Sequence, residues 1–350
     1  MVNFYVFGQD TVRTYYDNEE TLLKEVYVVI NGKAQGEVRR YALEGGLVQI
    51  GQLKDNQRHG LFVDLDEISG DTLKLTTFVN NARSGKSISY FPSGLIRQES
   101  FFENDQLQGE VITYFPSGVV QDKTNFVDNR PNGPTQSFFE SGAPKVKATF
   151  KDGNYDGLYE EYDESGQLLI SVNYKDSEID GTETRYFANG TIQSARDYKK
   201  GVLDGNYLLN FPSGKVSRNG TYKNGQPEGE MIEYHENGKI KERAIFKRGV
   251  PVESIKKYHP NGELEMLAEY DKEGELLSET YYHINGSLNY QARYVGGLIE
   301  GELKILRKDG TIEEIRNYRK GLLDGKREYF DQNGEPMKTE MYSRGKKVDN

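Results

Sequence analysis

The chain has 350 residues, among them 38 Gly, 25 Tyr and 16 Phe but no Cys and no Trp; only 35% are hydrophobic, and the net charge is -10. The absence of cysteine excludes disulfides, thiolate metal sites and a cysteine nucleophile, and no apolar run approaches the ~18 residues of a membrane span. The acidic balance argues against a nucleic acid or an anionic lipid surface as partner.

Such a chain is too polar for a thick two-layer core, and its glycines and aromatic rings predict a thin, ring-lined structure. Residues 1–20 are expected to cap the N-terminal edge. Within them, Val2-Asn3-Phe4-Tyr5-Val6-Phe7-Gly8 is apolar, but short for a secretory segment and without a basic residue before it. It reads either as the stump of a signal peptide, which would place the protein in the cell envelope or outside the cell, or as a first strand of a cytoplasmic protein.

From residue 21 the chain is a repeat. An early unit runs loosely from Thr21 through Asn31-Gly32 and Gly36, and Gly45 follows. Glycines then recur every 24 residues from Gly70 to Gly334, through Gly94, Gly118, Gly190 and Gly238. Eight residues after each of these anchors stands an aromatic ring, as at Phe102, Tyr174, Tyr198, Tyr222, Tyr294 and Tyr318. Fifteen after the anchor comes a second glycine, as at Gly85, Gly133 and Gly205, a column broken at Glu253 and Leu277. A Tyr or Phe usually stands four before the next anchor, with Leu306 an exception.

Each unit reads as two short alternating strands joined by turns such as Lys223-Asn224-Gly225 and Glu236-Asn237-Gly238. Asn-Gly tolerates the positive φ that hairpin turns require. Glycine every ten or so residues opposes a helix. The expectation is an all-β fold: an elongated single-layer antiparallel meander of about thirteen 24-residue β-hairpin repeats over residues 21–334, with 335–350 as a C-terminal partial repeat or cap. At ~4.8 Å per strand each hairpin advances about 10 Å, and the aromatic column would stack ring on ring as a thin core.

The segment Tyr222-Lys223-Asn224-Gly225-Gln226-Pro227-Glu228-Gly229-Glu230, followed by Glu233 to Lys241, resembles the variant MORN repeat found in bacterial proteins of the YwqK antitoxin type. The resemblance covers residues ~20–350. It implies a β-hairpin array used for protein contacts or scaffolding, and the antitoxin role comes with the family name alone. Lipid binding, proposed for MORN proteins generally, is not expected of so acidic a chain.

Candidate chemistry is sparse. Gly85-Lys86-Ser87 resembles the end of a P-loop, but position 80 is Asn80 where that loop needs a glycine. His235, His259 and His283 recur at 24-residue spacing, yet equivalent positions in neighbouring hairpins lie ~10 Å apart, too far to share a zinc ion. They read as solvated turn residues. Asn219-Gly220-Thr221 and its like match glycosylation acceptors and read as turn chemistry. No catalytic, cofactor or metal set emerges, and no cofactor is expected.

Residues 151–200 carry 6 Lys/Arg against 11 Asp/Glu, a balance of -5. Glu160, Glu161, Asp163, Glu164, Asp176, Glu178 and Asp180 are therefore candidates for steering a basic partner. The irregular positions Glu253, Leu277 and Leu306 mark a second candidate surface, because departures from an array mark where it bends or is used. The function expected is a non-enzymatic scaffold for protein–protein contact or assembly. Alternatives are an antitoxin or immunity protein neutralising a basic toxin, and a cell-envelope adhesin or glycan binder. Neither the partner nor the oligomeric state is written in these columns.

Overall fold

The computed structural model describes residues 9–348, so the apolar run 2–8 lies outside the described residues. Every regular element among them is a β-strand. They divide into two units, separated in the chain between Glu178 and Ile179. In the first, Gln9–Tyr15 pairs antiparallel with Leu23–Ile30, that strand with Lys33–Tyr41, and so on to Leu168–Lys175. The second runs in the same way from Glu178–Tyr186 to Lys346–Val348. Each unit is an antiparallel meander, as the repeat predicts.

Two kinds of turn alternate. One is a two-residue turn with both residues at positive φ, for example Asn80 (51°) and Asn81 (72°), or Asn224 (50°) and Gly225 (79°). This is the geometry that matches the twist of a hairpin. Asn and Asp visit the left-handed region at low cost because their short polar side chains bond locally, so several turns of the first unit, such as Asp55-Asn56, Asn80-Asn81, Asn104-Asp105 and Asp128-Asn129, need no glycine. The other turn holds the anchor glycine: Gly94, at φ 84°, donates its N–H to the Phe91 carbonyl. Gly118, Gly190 and Gly238 sit at 81–87° in the same way.

The two remaining columns prove to be partners. The second glycine of each unit lies directly across from the ring of the next: Gly85 opposite Phe102, Gly157 opposite Tyr174, Gly181 opposite Tyr198, Gly205 opposite Tyr222, Gly301 opposite Tyr318. Glycine stands there for its backbone: φ is positive at each, 119° at Gly85 and 89° at Gly301, a region that L side chains rarely adopt. These rings are half-buried rather than buried. Their contacts run to other columns: Tyr155 stands between Phe150 (4.4 Å) and Tyr174 (5.4 Å), Tyr207 packs on Tyr222 (5.0 Å), and Arg83 covers Phe102 (4.1 Å). This corrects the expected ring-on-ring column, because residues of other columns lie against the rings: Tyr155 and Arg83, thirteen after their anchors, and Tyr207, seventeen after its own.

The deepest burial lies in a row that sequence reasoning passed over. Residues six and seventeen after each anchor face one another across every strand pair. In the first unit the row includes Val38, Gly51, Phe62, Thr76, Ser87, Ser100 and Val111. In the second it includes Glu183, Arg196, Tyr207, Gly220, Met231 and Ala244. Val38 and Phe62 are 1% exposed, and Ala244 likewise. Asn219-Gly220, read above as a turn, lies inside the strand Val216–Lys223. A Cβ on Gly220 would overlap the Met231 sulfur and lie 3.0 Å from the Glu230 carbonyl oxygen, so the Met231 side chain packs into the space that this glycine leaves.

Candidate functional site

The array is held at both rims by side chains of its turns, and the three histidines belong to this system. The ring Nε2 atoms of His235, His259 and His283 lie 2.8, 3.3 and 2.8 Å from the carbonyls of Tyr258, Tyr282 and Leu306, each 23 residues on. Arg307 makes the same link to the Phe330 carbonyl. A carbonyl only accepts, so Nε2 carries the proton and donates. Beside them, Asn189, Asn237, Asn261 and Asn285 donate to carbonyls of the following turn. These histidines are half-buried struts between repeats, not solvated turn residues, and no cluster of three or more metal-ligating side chains exists among the described residues.

The regular pattern fails at the hairpin after Gly262. Elsewhere a two-residue turn follows the ring. Here Tyr270 pairs directly with Leu276, and the intervening loop Asp271–Glu275 adopts the anchor-type turn, with the Asp271 N–H donating to the Glu275 carbonyl at 3.0 Å. The Asp271 carboxylate accepts from the N–H groups of Glu273 and Glu275 and holds the loop. Ser278 pairs with Glu269, so Leu277 is left as the unpaired residue of a β-bulge and is 47% exposed. Upstream, Glu253 takes the place of the glycine at φ 70°, and the ladder resumes only at Ser254 opposite Glu269.

The altered hairpin opens a groove of about 720 Å³ lined by Leu276, Leu277, Tyr294 and Val295, with Asp271, Glu275 and Arg293 at its edges. Val295 is 58% exposed. The Tyr294 hydroxyl donates to Glu279 at 2.9 Å, and burial with that carboxylate pushes the phenol up to about 12. The groove thus offers an aliphatic floor with charges of both signs at its margin. Leu306 lies apart from it, half-buried in the strand Gly301–Leu306, where its carbonyl receives His283.

Four segments of the sequence, residues 107–128, 155–176, 179–200 and 227–248, match the MORN repeat variant. Their starts are separated by multiples of 24, and each runs from the second strand of one hairpin, through an anchor turn, to the next two-residue turn. The chain carries MORN-variant repeats. No curated protein matches its sequence. Among solved structures it aligns with the crystal structure of TcdB2-TccC3 at 11% identity, over 96% of this chain and 23% of that one, with a TM-score of 0.18. It aligns with that of TcdB2-TccC3-Cdc42 at 13% identity, over 96% and 23%, with a TM-score of 0.16. The chain spans under a quarter of those structures, and a likeness at that level carries no argument on fold or function.

Within the MORN-variant array the acidic candidates do not share one surface. Glu161 sits opposite Val146, on the face of the buried row, whereas its neighbour Glu160 points to the other face opposite Lys147. Both carboxylates accept tyrosine hydroxyls, Glu160 from Tyr162 at 2.7 Å and Glu161 from Tyr159 at 3.4 Å. Asp163 caps its own turn, where the Ser165 hydroxyl and the Gln167 N–H hold its carboxyl below the usual range. Glu164 stands exposed on that rim, while Asp176 and Glu178 are exposed on the opposite one. Asp180 is half-buried in the second unit. Among the described residues no helix is long and apolar enough to cross a membrane.

Proposed function

We propose that this MORN-variant array is a non-enzymatic scaffold that binds another protein through the groove where the repeat breaks at Leu277. The observation that carries the reading is the coincidence of the broken repeat with an exposed aliphatic pair, Leu277 and Val295, in one groove. The 24-residue spacing holds through this hairpin while its glycine and its two-residue turn are both replaced, and an apolar floor rimmed by polar groups is the common anatomy of a protein contact. The test is capture of partners from the native source with the wild-type chain and with Leu277→Asp/Val295→Asp. Loss of the partner, with amide protection of the neighbouring strands unchanged, supports the reading; full retention refutes it.

A second reading, recruitment of a basic protein such as a toxin, is favoured by Glu164, Asp176 and Glu178, which are exposed and make no ion pair among the described residues. These three, rather than Glu160, Glu161 and Asp163, are the residues to reverse, because the latter hold tyrosines and a turn. Replacement of all three by Lys should slow association with such a partner as high salt does. An association rate indifferent to both sinks this second reading.

A further inference from the structure

The buried row changes character in the repeats after Gly70. Where other strands place Val111, Met231 or Leu303 seventeen residues after the anchor, the strand Ala82–Tyr90 places Ser87. Ser87 is flanked in the row by Thr76 and Ser100, and the three are 5%, 3% and 9% exposed. Polar side chains enter the row elsewhere too, as Thr124, Thr135, Glu183 and Arg196 do, but here three small hydroxyls follow one another and supply less side-chain volume than Val111, Met231 or Leu303. The volume not filled is a groove of about 510 Å³, lined by Ser87, Ser89, Gln98 and Ser100, the rings of Tyr90 and Phe102, and two cations, Lys74 and Arg97.

The electrostatics of this groove are unusual for the chain. Four other grooves each contain at least one carboxylate among their lining residues. This one contains none. Lys74 is half-buried, and the residue directly across from it, Asp64, is engaged by the amide of Gln49 at 2.6 Å. No ion pair of Lys74 or Arg97 occurs among the described residues, although Lys86, close by in sequence, pairs with Glu99 at 2.5 Å. Arg97 is the extra residue of a bulge, for Ser89 pairs with Gln98 and Tyr90 with Ile96. The bulge turns the arginine toward the groove beside Gln98. Two unpaired cations, hydroxyl and amide donors, and two aromatic rings therefore converge on one ring-sized space.

We infer that this groove binds a small organic anion, a carboxylate or phosphate carried on a ring-sized polyhydroxylated body, as in a sugar acid or a sugar phosphate. Lys74 and Arg97 would take the anionic group, since charge-assisted hydrogen bonds are the strong ones. Ser89 and Gln98 would bond the hydroxyls, and Tyr90 and Phe102 would cover the ring's apolar face. The size falls within that of ordinary ligand sites. The inference stands apart from the partner groove at Leu277, so either can fail alone.

The test is saturation-transfer NMR on the full chain with four probes: glucuronate, glucose 6-phosphate, glucose and inorganic phosphate. At least one of the two sugar anions should bind saturably, with glucose and phosphate at least about tenfold weaker, the loss expected when a charged or a neutral half of the contact is missing. Lys74→Ala/Arg97→Ala should cost about tenfold or more. Ser87→Val, which restores the side chain of Val111 and fills the space without touching charge, should abolish binding while raising stability. Preference for glucuronate or for glucose 6-phosphate would tell a sugar acid from a sugar phosphate. Binding of glucose or phosphate alone as tightly as the sugar anions, no binding of either sugar anion, or binding indifferent to both variants overturns the inference.

Discussion

The pair Gly51 and Phe62 offers a sharp test of the buried row. The ring of Phe62 is 1% exposed, meets Phe78 edge-on with centroids 5.1 Å apart, and lies over Gly51 so closely that a Cβ there would be 2.2 Å from it. Phe62→Ala alone should cost about 3–5 kcal/mol, the transfer of the ring plus the cavity it leaves. Gly51→Ala alone should cost about 1–2 kcal/mol: overpacking of about 1–3, less the roughly 0.5–1 that alanine recovers over glycine in a strand. The φ of Gly51 is not positive, so no backbone strain enters. In the double variant the new methyl occupies space the ring has vacated. Its cost should therefore fall short of the sum of the single costs by at least about 1 kcal/mol, the size of coupling seen between contacting residues. Native-state hydrogen exchange of the amides in Leu47–Lys54, Gly60–Leu65 and Thr72–Val79 reads this locally, which matters because an array need not unfold in one step. Additivity within about 0.5 kcal/mol would refute the packing described.

Three more predictions follow from the same geometry. In the second glycine column, Gly109 has φ 71° and open space at its Cβ, whereas Gly205 has φ 132° and a Cβ that would lie 2.6 Å from that of Asp197. Gly109→Ala should thus cost about 1–2 kcal/mol as left-handed strain alone, and Gly205→Ala clearly more in the same urea titration; equal losses would contradict the column's geometry. His259→Ala should cost about 1 kcal/mol, the net worth of one hydrogen bond, with His259→Gln recovering part of it; no loss at all would mean the turn strut carries nothing. Burial works to raise the carboxyl of Glu314, but hydrogen bonds from Arg316 and Arg327 outweigh it and hold the group below the usual range, while Lys338 and Lys347 hold Glu340 down to about 2. A depressed carboxyl stabilises the fold above its ordinary value and loses that contribution as pH falls through the folded one. Amide protection in Ile312–Arg319 and Pro336–Ser343 should accordingly weaken between about pH 4.5 and pH 2, and Glu314→Gln/Glu340→Gln should flatten the dependence; an unchanged slope in the variant would disprove the assignment.

The period, the hairpins and both turn positions were legible in the sequence, because glycine and asparagine at positive φ and alternating side chains are local requirements that each residue states for itself. The anchor glycines and the turn at Asn224-Gly225 are where that reading placed them. Leu277 and Glu253 were legible too, as gaps in a column. What they do was not: the exchange of a two-residue turn for the loop Asp271–Glu275, and the bulge that exposes Leu277, depend on how Tyr270 pairs across the hairpin. Register decided the rest. Gly85 and Phe102 stand 17 residues apart in the chain, and only the ladder makes them partners. The same ladder sets Ser87 between Thr76 and Ser100, so this run of small hydroxyls in the buried row, with Lys74 and Arg97 beside it, is visible only once the strands are aligned. A strand's own sequence specifies which of its side chains share a face. Which residue of another strand each one meets depends on the bulges and turns between them, and that is a property of the assembled sheet.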